Sequence, residues 1–370
     1  MKLFTFLLLS IAFFAFSIET IQKEGYVKII NPSKCEVNNR TVVVEKITNL
    51  PLDLNLGDIT FSELQICMGI CVDEENNITI LDGGKLSVYK ISSDRRILNQ
   101  FGKMGNGPGE FSSANVLVIG NNKHTYIPVY SENKVVEFDE NCKFVKDLHH
   151  NELLPSRLKK FGKGFIGSGY GIDTTDDGIT QTSNITYLDE NFNVVKEFFR
   201  LEDKSDLSKP VDVSGSDIYY TVDEINNKVY VGLVSDTKYI IEVYDENLTK
   251  IQEIERGYRK VSYSKEETEE LKKNPHHHLS VNGNPLRIEY KSKKSIEGIY
   301  IDKKGFLWVD PAEDKSRNEK EYFDVYDNGK LVAQIEKAEI NDGIEFLNVN
   351  GKLFFYDETN GLTVNDFYLR

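Results

Sequence analysis

Positive charge is in short supply in this chain. Its 45 Lys and Arg face 59 Asp and Glu, for a net charge of -14. Setting aside an N-terminal leader whose one charge is Lys2, -14 less +1 leaves -15. That balance argues against nucleic acid and anionic membrane surfaces as partners. Past residue 17, no apolar stretch approaches the roughly 20 residues of a membrane span. Catalytic signatures are missing as well: there is no G-x-S-x-G, no H-E-x-x-H and no repeated calcium loop. Cysteine is sparse, with Cys35, Cys67, Cys71 and Cys142. Cys67 and Cys71 have no second Cys/His pair at zinc spacing. In an extended strand, positions four apart lie roughly 13 Å from each other, too far to bridge unless Met68-Gly69 turns. Cys71 therefore reads as a buried small apolar residue.

What is present begins with the leader. Leu3 to Phe16 is almost wholly apolar, and Ala15-Phe16-Ser17 places small residues where a signal peptidase cuts. Residues 1–17 read as a signal peptide and 18–39 as a lead-in. No Cys adjoins the leader to take a lipid, so the expectation is a soluble exported monomer, periplasmic or extracellular.

One phrase then recurs. It reads Val88-Tyr89-Lys90-Ile91-Ser92-Ser93-Asp94, Val136-Glu137-Phe138-Asp139-Glu140-Asn141 and Ile185-Thr186-Tyr187-Leu188-Asp189-Glu190-Asn191. It returns at Ile241–Asn247 and Phe323–Gly329. Tyr89, Phe138 and Tyr187 are 49 residues apart; Tyr244 follows after 57, Tyr326 after 82 and Tyr368 after 42. Each copy is an alternating strand ending in an Asp/Asn/Gly turn, and a period of this length with several strands per unit specifies a propeller. The predicted fold class is all-β, a six-bladed β-propeller of four-stranded antiparallel blades over residues 40–370, with strands a to d running outward from the axis.

Blade 1 shows all four strands between Gly69 and Phe101. Blades 2 to 5 run from about Val116 to Leu148, Gly164 to Phe199, Val211 to Ile254, and Ile296 to Ile335. Blade 6 starts at Ile344 and runs out of chain after its strand c, while Thr41–Ile47 is a strand with no blade. Residues 40–48 are therefore expected to supply strand d of blade 6 and close the ring, removing exposed edges.

After blade 1 comes Phe101-Gly102-Lys103-Met104-Gly105-Asn106-Gly107-Pro108-Gly109-Glu110-Phe111. With the repeats, this phrase resembles the exported six-bladed NHL/TolB-like propeller proteins of Bacteroidetes and related bacteria, from about residue 40 to the end. That resemblance implies a fold and an exported location, and little chemistry. No helix follows the glycines, so a phosphate cradle lacks its context. The glycines are expected to give positive φ between blades, with Phe111 plugging the gap.

Strand order puts the a–b and c–d turns on one face and the b–c turns and d-to-a crossings on the other. The crossings are the longer, which favours that loop-rich face as the site. The longest is an insert at about 257–295, where Ser264 and Glu267 form a capping box for a short helix. Asp82, Tyr130, Tyr170, Asp310 and Tyr356 at the ends of b strands, with Arg287 of the insert, are the candidate ligand-binding residues. His149, His150, His276 and His278 are weak metal candidates, for calcium or zinc; His277 completes a run that cannot easily aim at one point, and His124 sits in an a–b turn. Asp173–Gly178 is placed in the blade 3 a–b region as a hairpin turn, since it lacks the bidentate Glu of a calcium loop.

The functional expectation is a binding or protein-interaction module taking a peptide, glycan or protein on the loop-rich face; no catalytic motif is found, and the sequence names no cofactor, with calcium or zinc as the alternative. The alternative is a metal-dependent lactonase or hydrolase at the mouth of the central channel, as the fold resemblance allows, with Asp82, Asp310 and Asp357 as its acidic candidates.

Overall fold

The computed structural model describes residues 18–370 apart from 36–39, 57–59, 62–65, 115, 176–177, 207–210, 213–217, 234, 274–279, 282–283, 286–287, 313, 315–319, 341–345, 350 and 358. It is a ring of six four-stranded antiparallel blades. Blade 1 is Ile66–Val72, Ile78–Asp82, Ser87–Ile91 and Ile97–Phe101, and blade 2 is Val118–Ile119, Thr125–Val129, Lys134–Phe138 and Phe144–His149. Blade 3 is Ser156–Phe161, Gly164–Thr175, Gly178–Leu188 and Val194–Asp206. Blade 4 is Tyr219–Asp223, Lys228–Gly232, Tyr239–Tyr244 and Lys250–Arg256. Blade 5 is Ile296–Ile301, Leu307–Pro311, Tyr322–Asp327 and Lys330–Glu336. Blade 6 is Phe346–Val349, Lys352–Asp357, Gly361–Leu369 and, as predicted, the N-terminal strand Val42–Leu50. That strand pairs antiparallel with the C-terminal one, Val42 opposite Leu369 and Leu50 opposite Leu362.

The repeated phrase has a physical role. The central strands b and c are buried on both faces between neighbouring blades, so they carry Val, Ile, Leu, Tyr and Phe. The Asp that ends the phrase then caps the c–d turn. The Asp139 carboxylate accepts from the Asn141 and Lys143 amides at 2.9 and 2.8 Å. Asp189 does the same for Asn191 and Asn193, and Asp245 for Asn247 and Thr249. In each turn the fourth residue is left-handed, with φ of 62° at Cys142, 63° at Phe192 and 56° at Leu248. The side-chain oxygen holds a backbone that these residues would otherwise avoid. Blade 5 uses Asn328-Gly329 instead, both at positive φ, as a two-residue hairpin turn requires.

The glycine phrase is a folded inter-blade loop. Lys103–Met104 runs parallel to Glu110–Phe111, and the Glu110 carboxylate accepts from the Gly107 amide at 2.9 Å and pairs with Lys103 at 2.8 Å. Phe111 is fully buried among Phe101, Leu117, Ile127 and Phe138 between blades 1 and 2. At Gly102, with φ of +70°, a Cβ would lie 2.8 Å from the Phe111 ring, so only glycine lets the plug seat.

Three expectations are corrected. Blade 3 starts at Ser156, and Gly164–Thr175 is its strand b. Thr175 pairs with Gly178 across strands b and c, so the expected turn joins these strands, on the opposite face from the one expected; its residues 176–177 lie outside the described residues. Val211-Asp212 lies outside blade 4 and pairs in parallel with Ile288-Glu289 of the insert. The reason for the first is the composition of the innermost strand: Ser156-Arg157-Leu158-Lys159-Lys160-Phe161 borders the axial channel rather than a dry interface, so lysines are tolerated there.

The lead-in, read from sequence only as a connection, is structured where described. Glu19–Gln22 and Val27–Asn31 form a hairpin whose second strand adds in parallel to the outer edge of blade 4, making a six-stranded sheet. The Asn31 amide donates to Gly329 O of blade 5 at 2.9 Å and its oxygen accepts from the Leu331 amide at 2.8 Å. The Cys35 amide donates to the Gln334 side chain at 3.0 Å. The segment thus ties blade 4 to blade 5 before its continuation joins blade 6. In the insert, Lys265–Leu271 is a helix with the predicted capping box of Ser264 and Glu267.

Candidate functional site

Where six innermost strands meet around an axis, the hollow between them is lined by backbone edges and by whatever side chains the a–b turns direct inward. Here a cavity of about 580 Å³ opens on the axis at the a–b end. Every blade contributes: Asp73, Gly120, Lys159, Thr221, Asp302 and Lys352, from blades 1 to 6 in order, are all on its wall. The cavity is therefore on the face opposite to the loop-rich one.

Most of its charges are spoken for. Lys90 pairs with Asp73 at 3.1 Å, Lys123 with Glu75 at 3.0 Å, Lys160 with Glu224 at 2.8 Å and Lys352 with Asp366 at 2.5 Å. Asp302, buried at the base of its turn, accepts from the Lys304, Phe306 and Leu369 amides and from the Trp308 indole. Burial nevertheless raises its carboxyl above the usual range. The Cys71 thiol is buried, 3.5 Å from Leu117 O, and burial pushes it up to about 12. It is the inert buried cysteine the sequence suggested.

Lys159 is different. Its side chain is enclosed by the ring yet keeps a path to solvent along the channel. Enclosure pushes its amine down to about 8; Glu224 partly offsets this and Arg157 adds to it. Because the unfolded-state value is higher, near 10.4, the unfolded chain binds more protons between about pH 8 and 10.4. Lys159 therefore opposes folding below pH 8, and that penalty is relieved as pH rises through the window. In protein whose lysines carry ¹³C-methyl groups, one dimethyl-lysine resonance should titrate near 8, well below the surface lysines, and should vanish in Lys159→Met. A resonance titrating with the surface set would contradict this environment.

Of the residues expected from sequence, several that are described are engaged locally. Asp82 uses its carboxylate to accept from the Gly84 and Lys85 amides at 2.9 and 3.1 Å, capping the b–c turn. Asp310 is 2.8 Å from the Lys337 ammonium. Tyr170 lies midway along the long strand b of blade 3, 55 % exposed, and Tyr356 near the end of strand b of blade 6, 50 % exposed. Arg287, His276, His277 and His278 lie outside the described residues. His149 is exposed; His150 is half-buried, and burial lowers its pKa. His124 pairs with Glu137 at 2.7 Å. Among the described residues, no three His, Cys, Asp or Glu side chains are grouped to hold a metal ion.

Tyr130 fares better. It lines a second hollow, of about 430 Å³, with Gly83, Met104, Ser112 and Pro128 on the loop-rich face. Its hydroxyl is buried without a hydrogen-bond partner among the described residues, and burial pushes it up to about 12.

No known family pattern matches this chain, and no curated protein matches it. Solved structures do. An inferred exported protein from Bacteroides fragilis is 15 % identical, with 93 % of this chain and 99 % of that chain covered and a TM-score of 0.55. A DUF4221 family member from Bacteroides vulgatus is 9 % identical, with 89 % and 99 % covered and a TM-score of 0.50. The chain shares the fold of exported Bacteroides propellers. At these identities the likeness concerns architecture alone. No described helix is long and apolar enough to cross a membrane.

Proposed function

We propose that this chain is an exported binding module that holds a small polar solute in the axial cavity. The observation that carries this reading is the cavity itself: about 580 Å³, walled by all six blades and dressed with polar and charged side chains. Ligand sites are concave and of this size, with a few placed polar groups giving orientation. The exported location rests on the N-terminal pattern and agrees with the likeness to an exported Bacteroides protein.

A second reading keeps the loop-rich face as a peptide- or glycan-docking surface. The unpartnered Tyr130 hydroxyl in its own hollow favours it, since such a group waits for an acceptor. The lactonase or hydrolase alternative receives less support. Of its acidic residues, Asp82 caps a turn and Asp310 pairs with Lys337.

A thermal-shift screen of sugars, sugar acids, amino acids, calcium and zinc separates these readings. Under the axial reading, at least one organic solute raises Tm in proportion to the logarithm of its concentration. Asn121→Trp, at the exposed cavity mouth, then abolishes the shift, whereas Tyr130→Phe leaves it intact. A shift lost in Tyr130→Phe and kept in Asn121→Trp would move the site to the other face. Stabilisation by a metal ion alone would favour the enzyme.

A further inference from the structure

The strongest unexplained feature of the axial cavity is a cation that has no counter-ion among the described residues. Lys90, Lys123, Lys160 and Lys352 on the cavity wall each have a carboxylate partner. Among the described residues, the Lys159 ammonium has neither a hydrogen bond nor an ion pair; the contact it makes is with the face of the Tyr220 ring, 6.0 Å from its centroid. Glu224, the carboxylate that acts on it, is held by Lys160.

The backbone is distorted where it presents this side chain. Strand a of blade 3 pairs Ser156 with Ser168 but Lys159 with Ile166, so three steps on one strand answer two on the other. Arg157 inside this bulge has φ of +52°, a left-handed conformation rare for a long side chain. Bulges re-aim side chains, and strained residues of this kind cluster at ligand sites. Here the bulge sits two residues before the lysine that reaches the axis. Its neighbours are fixed: the Tyr220 hydroxyl donates to Arg157 O and Ile166 O, and the Arg157 guanidinium donates to Ile218 O at 3.3 Å.

We propose that Lys159 anchors the carboxylate of a singly charged, hydroxylated organic acid, such as a sugar acid, in the axial cavity. This deepens the axial reading above and rests on it. An enclosed ammonium with no partner is costly, and an anion that enters the cavity removes the cost. The single charge follows from the wall. Asp73, Glu224 and Asp302 would repel a polyanion, and the one cavity ammonium left unpaired among the described residues matches one negative charge. The hydroxylated body follows from Thr79, Thr125, Thr221 and Asn121, whose side chains can donate and accept. A lysine offers a point charge that a single carboxylate oxygen can meet, without the bidentate geometry an arginine would impose.

The test uses the full chain and the pair D-glucuronate and D-glucose, which differ in the carboxylate, with inorganic phosphate as a third probe. Calorimetry should show glucuronate binding at least tenfold tighter than glucose or phosphate. Lys159→Met should weaken glucuronate by about tenfold to a hundredfold, the usual worth of a hydrogen bond to a charged group. Lys320→Met, on a surface ion pair of blade 5, should change it less than threefold. Methionine removes a desolvated charge, so the variant should be at least as stable as the parent; Lys159→Gln provides a second, polar replacement. Glucuronate affinity unchanged in both Lys159 variants overturns the proposal. Glucose binding as tightly as glucuronate, and lost in Asn121→Trp, also overturns it while leaving the axial site standing. Phosphate binding tighter than glucuronate overturns the carboxylate assignment. If none of the three probes binds, the sugar-acid proposal falls, and the solute screen above decides the axial reading separately.

Discussion

Replacing Asp324 with alanine should cost about 3–5 kcal/mol of stability, the range for breaking a buried ion pair from one side. Asp324 is fully buried in strand c of blade 5 and faces strand d of blade 4. Its Oδ2 lies 3.2 Å from Arg256 Nε and accepts from the Tyr239 hydroxyl at 3.0 Å, while Oδ1 accepts from the Gln334 amide at 2.8 Å. Arg256 is stacked over the Tyr239 ring, 4.4 Å from its centroid, and the Tyr326 hydroxyl donates to that of Tyr239 at 3.2 Å. Tyr239 and Tyr326 both occupy aromatic positions at or beside the repeated phrase, so the same residues that mark the repeat also seal the blade 4–5 interface. Removing Asp324 leaves a guanidinium buried with no anion. Urea unfolding should show a lower midpoint at unchanged slope. The double variant R256M/D324L should recover part of the loss, because apolar replacements of a buried pair are often neutral. A loss under 1 kcal/mol in Asp324→Ala would mean the cluster is solvated.

Removing residues 18–50 should have the larger effect, loss of the closed monomer. Blade 6 would keep three strands, and the unpaired edge of Gly361–Leu369 would be bare. Leu50 would leave the blade 6–blade 1 core, where it packs with Ile80, Tyr89 and Val364. The outer hairpin of blade 4 would go with it. An exposed edge of this length recruits other chains. Size-exclusion chromatography with light scattering should report oligomers or aggregate, and circular dichroism a broad, weak unfolding transition. A monomer with an unchanged melting profile would show the strand to be dispensable.

The parts of this architecture that were legible in sequence are those where local chemistry and packing demand the same residues. The b and c strands are buried on both faces and must be apolar; their turns need Asp, Asn or Gly. That gave the blade count, and the surplus strand at residues 41–47 with the missing strand in blade 6 gave the closure. Strand a of blade 3 was hidden because it fronts a wet channel, so Arg157, Lys159 and Lys160 look like loop residues. The error was not small. It displaced one strand, sent Asp173–Gly178 to the wrong face, and concealed the lysine at the centre of the candidate site. The lead-in hairpin was missed because an added outer strand needs little apolar surface of its own. The working face was inferred from loop length, which reports where the chain can vary rather than where side chains converge. His149 and Tyr356 lie near strand ends, but position on a rim does not make a cavity.

The pairing of Val42 with Leu369 also sets a schedule. Blade 6 cannot be completed until almost the entire chain is available, and the contact spans nearly its full length. Loop-closure entropy and high contact order make such a pairing slow relative to local hairpins. Blades 1 to 5 can each form from consecutive hairpins as they emerge, while the strand at 42–50 waits. With the strand at 42–50 spoken for by the last strand of the chain, the ring cannot shut before the whole chain is present.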